Sequence, residues 1–360
     1  MKHIAFIVEQ AYGHILPTLG IAMELIRRGH RVSYAVTKDF APGINRIGAR
    51  ALVFSPLVTR PALLNAIDQG DKDGIDELLR VKTNHSLAQL QDRFSDDQPD
   101  LIVHDACEDF AGRLLASKQG VPSIRFAPFP VKLEKDQDLS GDNAILIGMP
   151  RCFIEQIGQV ESPRVRVIGF IPGGRGAFFE PWRPSYGSSK MILISVTTGI
   201  LPQIDFCRMI IDAFRDATFQ VVLSIGGLDR VSKITPADLG QLPDNFELNR
   251  GSANFEILQH AAVFVTQGGQ GSILEAIYQG VPILGIPSYF WDEEACRMVV
   301  DLGLGARLSF SDASPERIRE HAENLLDDHA IRGRLKDLQH SMSQDSGAEV
   351  AADVIETYLH

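Results

Sequence analysis

The sequence predicts an α/β protein made of two doubly wound domains, each a parallel sheet with helices on both faces. Three observations carry that prediction. Short apolar runs rich in β-branched residues alternate with helix-period stretches through the first half. The alternation fails across a Gly-, Pro-, Arg- and Ser-rich segment at 169–189 and then restarts. Late in the second half, residues 263–276 read as buried strand, glycine turn and helix N-terminus in direct succession.

Taken in order, residues 3–8 form the first strand. Pro17 sits well as the first residue of a helix, where its missing N–H costs little. Leu19, Ala22, Leu25 and Ile26 give that helix an apolar face, Arg27 and Arg28 lie in its last turn, and Gly29 ends it. Strands follow at 31–36 and 51–54, then a helix over 75–94. Next come a strand at 101–104 ending on Asp105, a helix at 109–118 and a strand at 122–126. Residues 128–143 are charged and read as a loop, and 144–147 and 164–168 as strands. The second half repeats the pattern with strands at 191–196, 220–225, 246–248, 262–266 and 282–286. Helices are expected at 205–215 and 255–260, and three more at 315–326, 330–342 and 349–358 close the chain. The domains are therefore 1–170 and 189–345, joined by a linker at 171–188, with 346–360 a closing helix.

Composition narrows the class. With 44% hydrophobic and 22% charged residues in 360, the chain can bury two ordinary cores. A net charge of −11 argues against nucleic-acid binding through phosphate neutralisation. No run is long enough for a membrane span, and residues 1–8 are too short for a signal-peptide core. Cys107, Cys152, Cys207 and Cys296 are far apart without a CxxC pair, so neither a metal site nor a disulfide framework is expected, and a reduced, cytoplasmic protein is.

An anionic ligand would then need a local site, and the glycine turn supplies one. A plain βα bend needs one glycine. Here Gly268, Gly269 and Gly271 occupy three of four positions, with Ser272 read as the helix cap and Glu275 three residues on. Glycines let the backbone approach a phosphate, and the free N–H groups and helix dipole then face it.

Several motifs carry a resemblance to a known family. Gly13-His14-Ile15-Leu16-Pro17 follows the first strand and leads to Arg28-Gly29-His30-Arg31-Val32. Pro99 to Asp105 is the second match, and Thr266 to Ala276 running into Gly280-Val281-Pro282 the third. Leu242-Pro243-Asp244-Asn245-Phe246-Glu247 adds a fourth. In this order they resemble the GT-B nucleotide-sugar glycosyltransferases, in the branch that glycosylates macrolides and other small natural products and includes the UDP-glycosyltransferases.

The resemblance implies two Rossmann-like domains facing across a cleft, the first binding the acceptor and the second the donor, with the closing helix packed back on the first. It implies an inverting transfer from a UDP- or dTDP-sugar to a hydroxyl of a small natural product. His14 would be the base and Asp105 its orienting partner. Gln267, Gly268, Gly269, Gly271 and Ser272, with Thr197 and Thr198 opposite, would hold the diphosphate. Glu275 would take the ribose hydroxyls, Gly251 and Ser252 the base, and Trp291, Asp292 and Glu293 the sugar. No metal and no cofactor are implied, the nucleotide sugar being a co-substrate, and a homodimer is compatible.

Departures point to an alternative. Gln267 stands where the family has His, and Gly251 where it has a base-stacking Trp. Glu293 stands where it has Gln, which adds charge, and the 128–143 loop is short. A member without sugar transfer, acting as a binding or partner protein or doing other chemistry in the same cleft, is the second expectation.

Overall fold

Short runs of Ile, Val, Leu and Phe with no polar alternation suit strands covered on both faces, and the structure arranges such strands in two parallel sheets. It is a computed structural model that describes residues 1–58, 62–63, 66, 69–105, 109–128, 141–156, 162–184, 190–196, 203–225, 234–288, 290–344 and 346–359, without the side chains of 109, 110, 203, 290 and 291. The chain divides into two units, Met1–Phe178 with Asp345–His360, and Phe179–Gln344.

The first unit holds strands β1 (His3–Ile7), β2 (Arg31–Val36), β3 (Arg50–Val53), β4 (Leu101–Asp105), β5 (Ser123–Ala127), β6 (Ala144–Ile147) and β7 (Val165–Val167). Their order in the sheet is β3-β2-β1-β4-β5-β6-β7, all parallel. Connections run outward in both directions from β1 and β4, which opens a crevice at their carboxyl ends. Helices α1 (Tyr12–Arg27), α2 (Ala41–Arg46), α3 (Lys72–Arg93), α4 (Asp109–Gln119) and α5 (Arg151–Gln156) join them. One face packs Ala5, Ile7, Ala35, Leu52 and Ile102 against Leu87, Leu90 and Phe94 of the α3 region and Ala111 and Leu115 of α4. Each such large side chain contributes about 1.5–3 kcal/mol by burial.

The second unit repeats the plan with β8 (Met191–Ser195), β9 (Gln220–Ser224), β10 (Phe246–Asn249), β11 (Val263–Thr266), β12 (Ile283–Gly285) and β13 (Gly305–Arg307). The order is β10-β9-β8-β11-β12-β13, again all parallel, so its crevice opens between β8 and β11. Its helices are α6 (Gln203–Phe214), α7 (Pro236–Leu239), α8 (Asn254–Leu258), α9 (Gln270–Tyr278), α10 (Phe290–Asp301), α11 (Pro315–Asp327) and α12 (His329–Ser343). Closing helix α13 (Gly347–Glu356) belongs to the first unit, where Arg28 on the end of α1 reaches Asp353 at 2.6 Å and Glu356 at 2.7 Å. Among the described residues no helix is long and apolar enough to cross a membrane.

Two helix starts differ from expectation. Pro17 lies inside α1, which begins at Tyr12. Proline removes only the bond to the Gly13 carbonyl near the helix start, and Ile15 has already closed the first turn on Ala11 at 3.0 Å. Ser272 is not a cap either: Gly269 is, without a side-chain hydrogen bond, and Ser272 is the third residue of α9. Gly268 at φ +101° turns the chain so abruptly that the helix cap lies three residues earlier. Helix α10 and strand β13 occupy a stretch where no element is expected.

Candidate active site

The first crevice is built by the β1–α1 turn. Gln10 ties the neighbouring strand ends, donating from Nε2 to the Val8 carbonyl at 2.7 Å and the Ala35 carbonyl at 3.2 Å while its Oε1 accepts from Thr37 N at 2.7 Å. This fixes where α1 begins and places His14 in its first turn, beside the end of β4. There Nδ1 of His14 meets Oδ2 of Asp105 at 2.7 Å. The Asp105 carboxylate is fully buried and the imidazole is 15% exposed. A carboxylate only accepts, so the ring's Nδ1 carries a proton, and in the neutral ring the lone pair then sits on Nε2. That is the tautomer a general base needs.

Around the pair, Lys82 on α3 bonds Glu9 at 2.6 Å, with both side chains largely buried. Tyr12 lies edge-on to Phe40 and Phe178, with ring centroids at 5.0 and 6.1 Å. His104 points to the other face of the sheet from Asp105, as strand alternation requires. There its Nε2 meets Oδ1 of Asp142 at 2.8 Å.

The second crevice is made of backbone. Thr266 ends β11, and its Oγ1 accepts from Gly268 N at 3.2 Å. A Cβ at Gly268 would meet Sγ of Cys296 at 2.7 Å and the Asp292 carbonyl at 2.9 Å, so only glycine fits. A Cβ at Gly271 would enter open space. The first turn of α9 begins at a glycine, Gly269, with no side-chain cap hydrogen bond among the described residues. Gln267 is buried, its Nε2 lying 3.4 Å from Oγ of Ser288, and Glu275 is buried further along the helix.

Asp292 is buried against Gly268, which brings one expected sugar contact to the glycine turn. Glu293 pairs with Arg307, so the charge expected from it is offset. Burial, with the Asp292 and Glu293 carboxylates close by, pushes the Cys296 thiol up to about 12, which leaves it a packed neutral side chain. Gly251 and Ser252 follow β10, where Asn249 closes the loop by accepting from Ser252 N at 3.0 Å. A Cβ at Gly251 meets nothing. Thr197, Thr198 and the Trp291 side chain lie outside the described residues.

The structure thus brings His14 to Asp105, and Gly268 to Asp292. Sequence reasoning missed Asn254, whose Nδ2 donates to Oγ of Ser195 at the end of β8, 2.8 Å away, while its buried Oδ1 has no partner among the described residues. It also missed the Asp142 cluster, whose one sign is Arg125 within an apolar strand.

Residues 219–357 match the model of the erythromycin biosynthesis protein CIII-like C-terminal domain. The chain is 31% identical to the NDP-glycosyltransferase YjiC of Bacillus licheniformis over 99% of its own length and 98% of that protein's. It is 29% identical to the oleandomycin glycosyltransferase of Streptomyces antibioticus, over 99% and 91%. Among solved structures it is similar to the glycosyltransferase of kitacinnamycin, with TM-score 0.83, 27% identity and coverage of 100% and 99%.

Proposed function

This chain belongs to the NDP-glycosyltransferases, and from that premise we propose that it is an inverting transferase that moves a sugar from a nucleoside-diphosphate donor to a hydroxyl of a small natural product. The observation that carries the proposal is the 2.7 Å bond between His14 and the buried Asp105 at the crevice of the first sheet. In that geometry Nε2 takes the acceptor's proton as the hydroxyl oxygen attacks the anomeric carbon. The glycosidic bond to the diphosphate breaks on the opposite face, and Asp105 stabilises the imidazolium that forms.

The donor's diphosphate is assigned to the N-terminus of α9, with Gln267, Gly268, Gly269, Gly271 and Ser272, and Thr197 and Thr198 as the loop opposite. Backbone N–H groups and the helix dipole offset charge on the leaving group. Glu275 takes the ribose and Gly251 and Ser252 the base. Asn254 adds an acceptor at the same crevice, and Trp291, Asp292 and Glu293 take the sugar. The nucleotide sugar is a co-substrate, and no further cofactor enters the scheme.

A second reading, a member that binds nucleotide without transfer, is favoured by Gln267, which is held near Ser288 and brings no positive charge to the diphosphate. Calorimetric titration with UDP and dTDP, followed by turnover with the corresponding glucose donors and a panel of phenolic and macrolide acceptors, separates the two. Binding with turnover supports transfer and binding alone supports the second reading. No binding of either nucleotide defeats both.

A further inference from the structure

The sheet that carries Asp105 on one face holds a buried ionic cluster on the other. Asp142, on the chain entering β6, is fully enclosed at its carboxylate. Its Oδ1 accepts from His104 Nε2 at 2.8 Å and from Ser123 Oγ at 3.0 Å. Its Oδ2 accepts from Arg125 Nε at 2.9 Å and Nη2 at 2.6 Å. His104 and Arg125 are register partners across β4 and β5, so one carboxylate bolts the two strands together at a single step. Helix α4 closes over the ring, and a Cβ at Gly112 would lie 2.5 Å from that of His104.

The neighbouring side chains on this face, Ile102, Ala111 and Leu115, are apolar. Filling the site with apolar groups would serve stability as well, since a buried ion pair often contributes no more than its hydrophobic replacement. What the cluster adds is position. His104 is the residue before Asp105, and its Nδ1 lies 3.4 Å from the Asp105 carbonyl oxygen. A displacement of about 1 Å at a catalytic group can cost about a hundredfold in rate.

We propose that Asp142 is a positioning residue for sugar transfer: by clamping His104 and Arg125 from one face of the sheet it fixes the end of β4, and so holds the Asp105 carboxylate against His14 on the other face. This rests on the reading of His14 and Asp105 as the catalytic pair.

The test uses the full chain with Asp142→Asn and the milder His104→Gln, which keeps the site polar but replaces the rigid ring held by Asp142 with a flexible amide, loosening the clamp. Ring-nitrogen NMR shifts of His14, assigned by loss of the signals in His14→Ala, report its tautomer in the free protein, independent of donor or acceptor. Both variants are expected to lose the pure Nδ1–H tautomer while circular dichroism stays native. Unchanged His14 shifts in folded Asp142→Asn or folded His104→Gln overturn the proposal.

Turnover of UDP-glucose or dTDP-glucose with a hydroxycoumarin acceptor is expected to fall about 10- to 100-fold in kcat, with donor KM unchanged. In an Asp105→Asn background neither change should cost anything further. Losses that multiply with Asp105→Asn mean a purely structural role and overturn it too. If Asp105→Asn itself leaves turnover intact, the catalytic pair is the reading that fails, and the NMR result still judges the link from Asp142 to His14.

Discussion

The two units share a topology and use it in opposite ways. Each is a parallel sheet with one crevice where strand connections diverge, between β1 and β4 in one and between β8 and β11 in the other. At the first crevice the chain places charged and polar side chains in fixed contact, His14 on Asp105 and Lys82 on Glu9, with buried Asp142 clamped behind. At the second it places glycines and an α9 N-terminus without a side-chain cap, and among the described residues Glu293 is offset by Arg307 and Asp292 is enclosed. Proton transfer needs a group held to a fraction of an ångström and in one tautomer, which buried side-chain bonds provide. A diphosphate presents several oxygens, and a helix N-terminus can meet them without side chains.

The sharpest way to break this contrast is His14→Ala. It should cut turnover by about 10²–10⁴-fold and leave nucleotide affinity unchanged, measured by steady-state kinetics beside calorimetry. An equal loss of nucleotide affinity would erase the division of labour. Gly268→Val acts on the other unit. Its Cβ would need a left-handed backbone and would collide with Cys296 and the Asp292 carbonyl, so about 3 kcal/mol of stability should be lost together with donor binding, read from urea midpoints.

Arg28→Ala tests the frame of the first unit. The guanidiniums of Arg27 and Arg28 hold the Glu24 carboxyl down at about 2, and Arg28 also bridges to α13. Its loss should cost about 1–3 kcal/mol at neutral pH. Because the folded value lies below the ordinary 4.5, this contribution is present above that pH and drains away as pH falls toward 2. The variant and the wild type should therefore converge in stability on acidification. Smallest is Gly271→Ala, whose methyl enters open space. Stability should change by less than about 1 kcal/mol, in the stabilising direction, while the donor KM rises a few-fold.

Much of this frame was legible in the sequence because its signals are local. Apolar β-branched runs marked the long strands, and glycines on three of four positions marked the turn between β11 and α9. His14 and Asp105 were paired through the family resemblance, and the structure places them in contact. Helix starts were misread at Pro17 and Ser272 for a physical reason. Proline and serine favour a start, yet the actual starts follow from where β1 and β11 end and from the left-handed turn at Gly268. The acidic run Asp292, Glu293 and Glu294 concealed α10. Of the Asp142 cluster the sequence carried one sign, Arg125 within an apolar strand; its members stand 17 to 38 residues from Asp142, so nothing local joins them.

The central claim is that the first unit supplies a base and no nucleophile, so the sugar is displaced once. Proton NMR of the glycoside formed from an α-linked UDP- or dTDP-glucose donor tests this most directly. The account predicts a β-glycoside, recognised by the large axial–axial coupling of its anomeric proton. An α-glycoside from the same donor would contradict it.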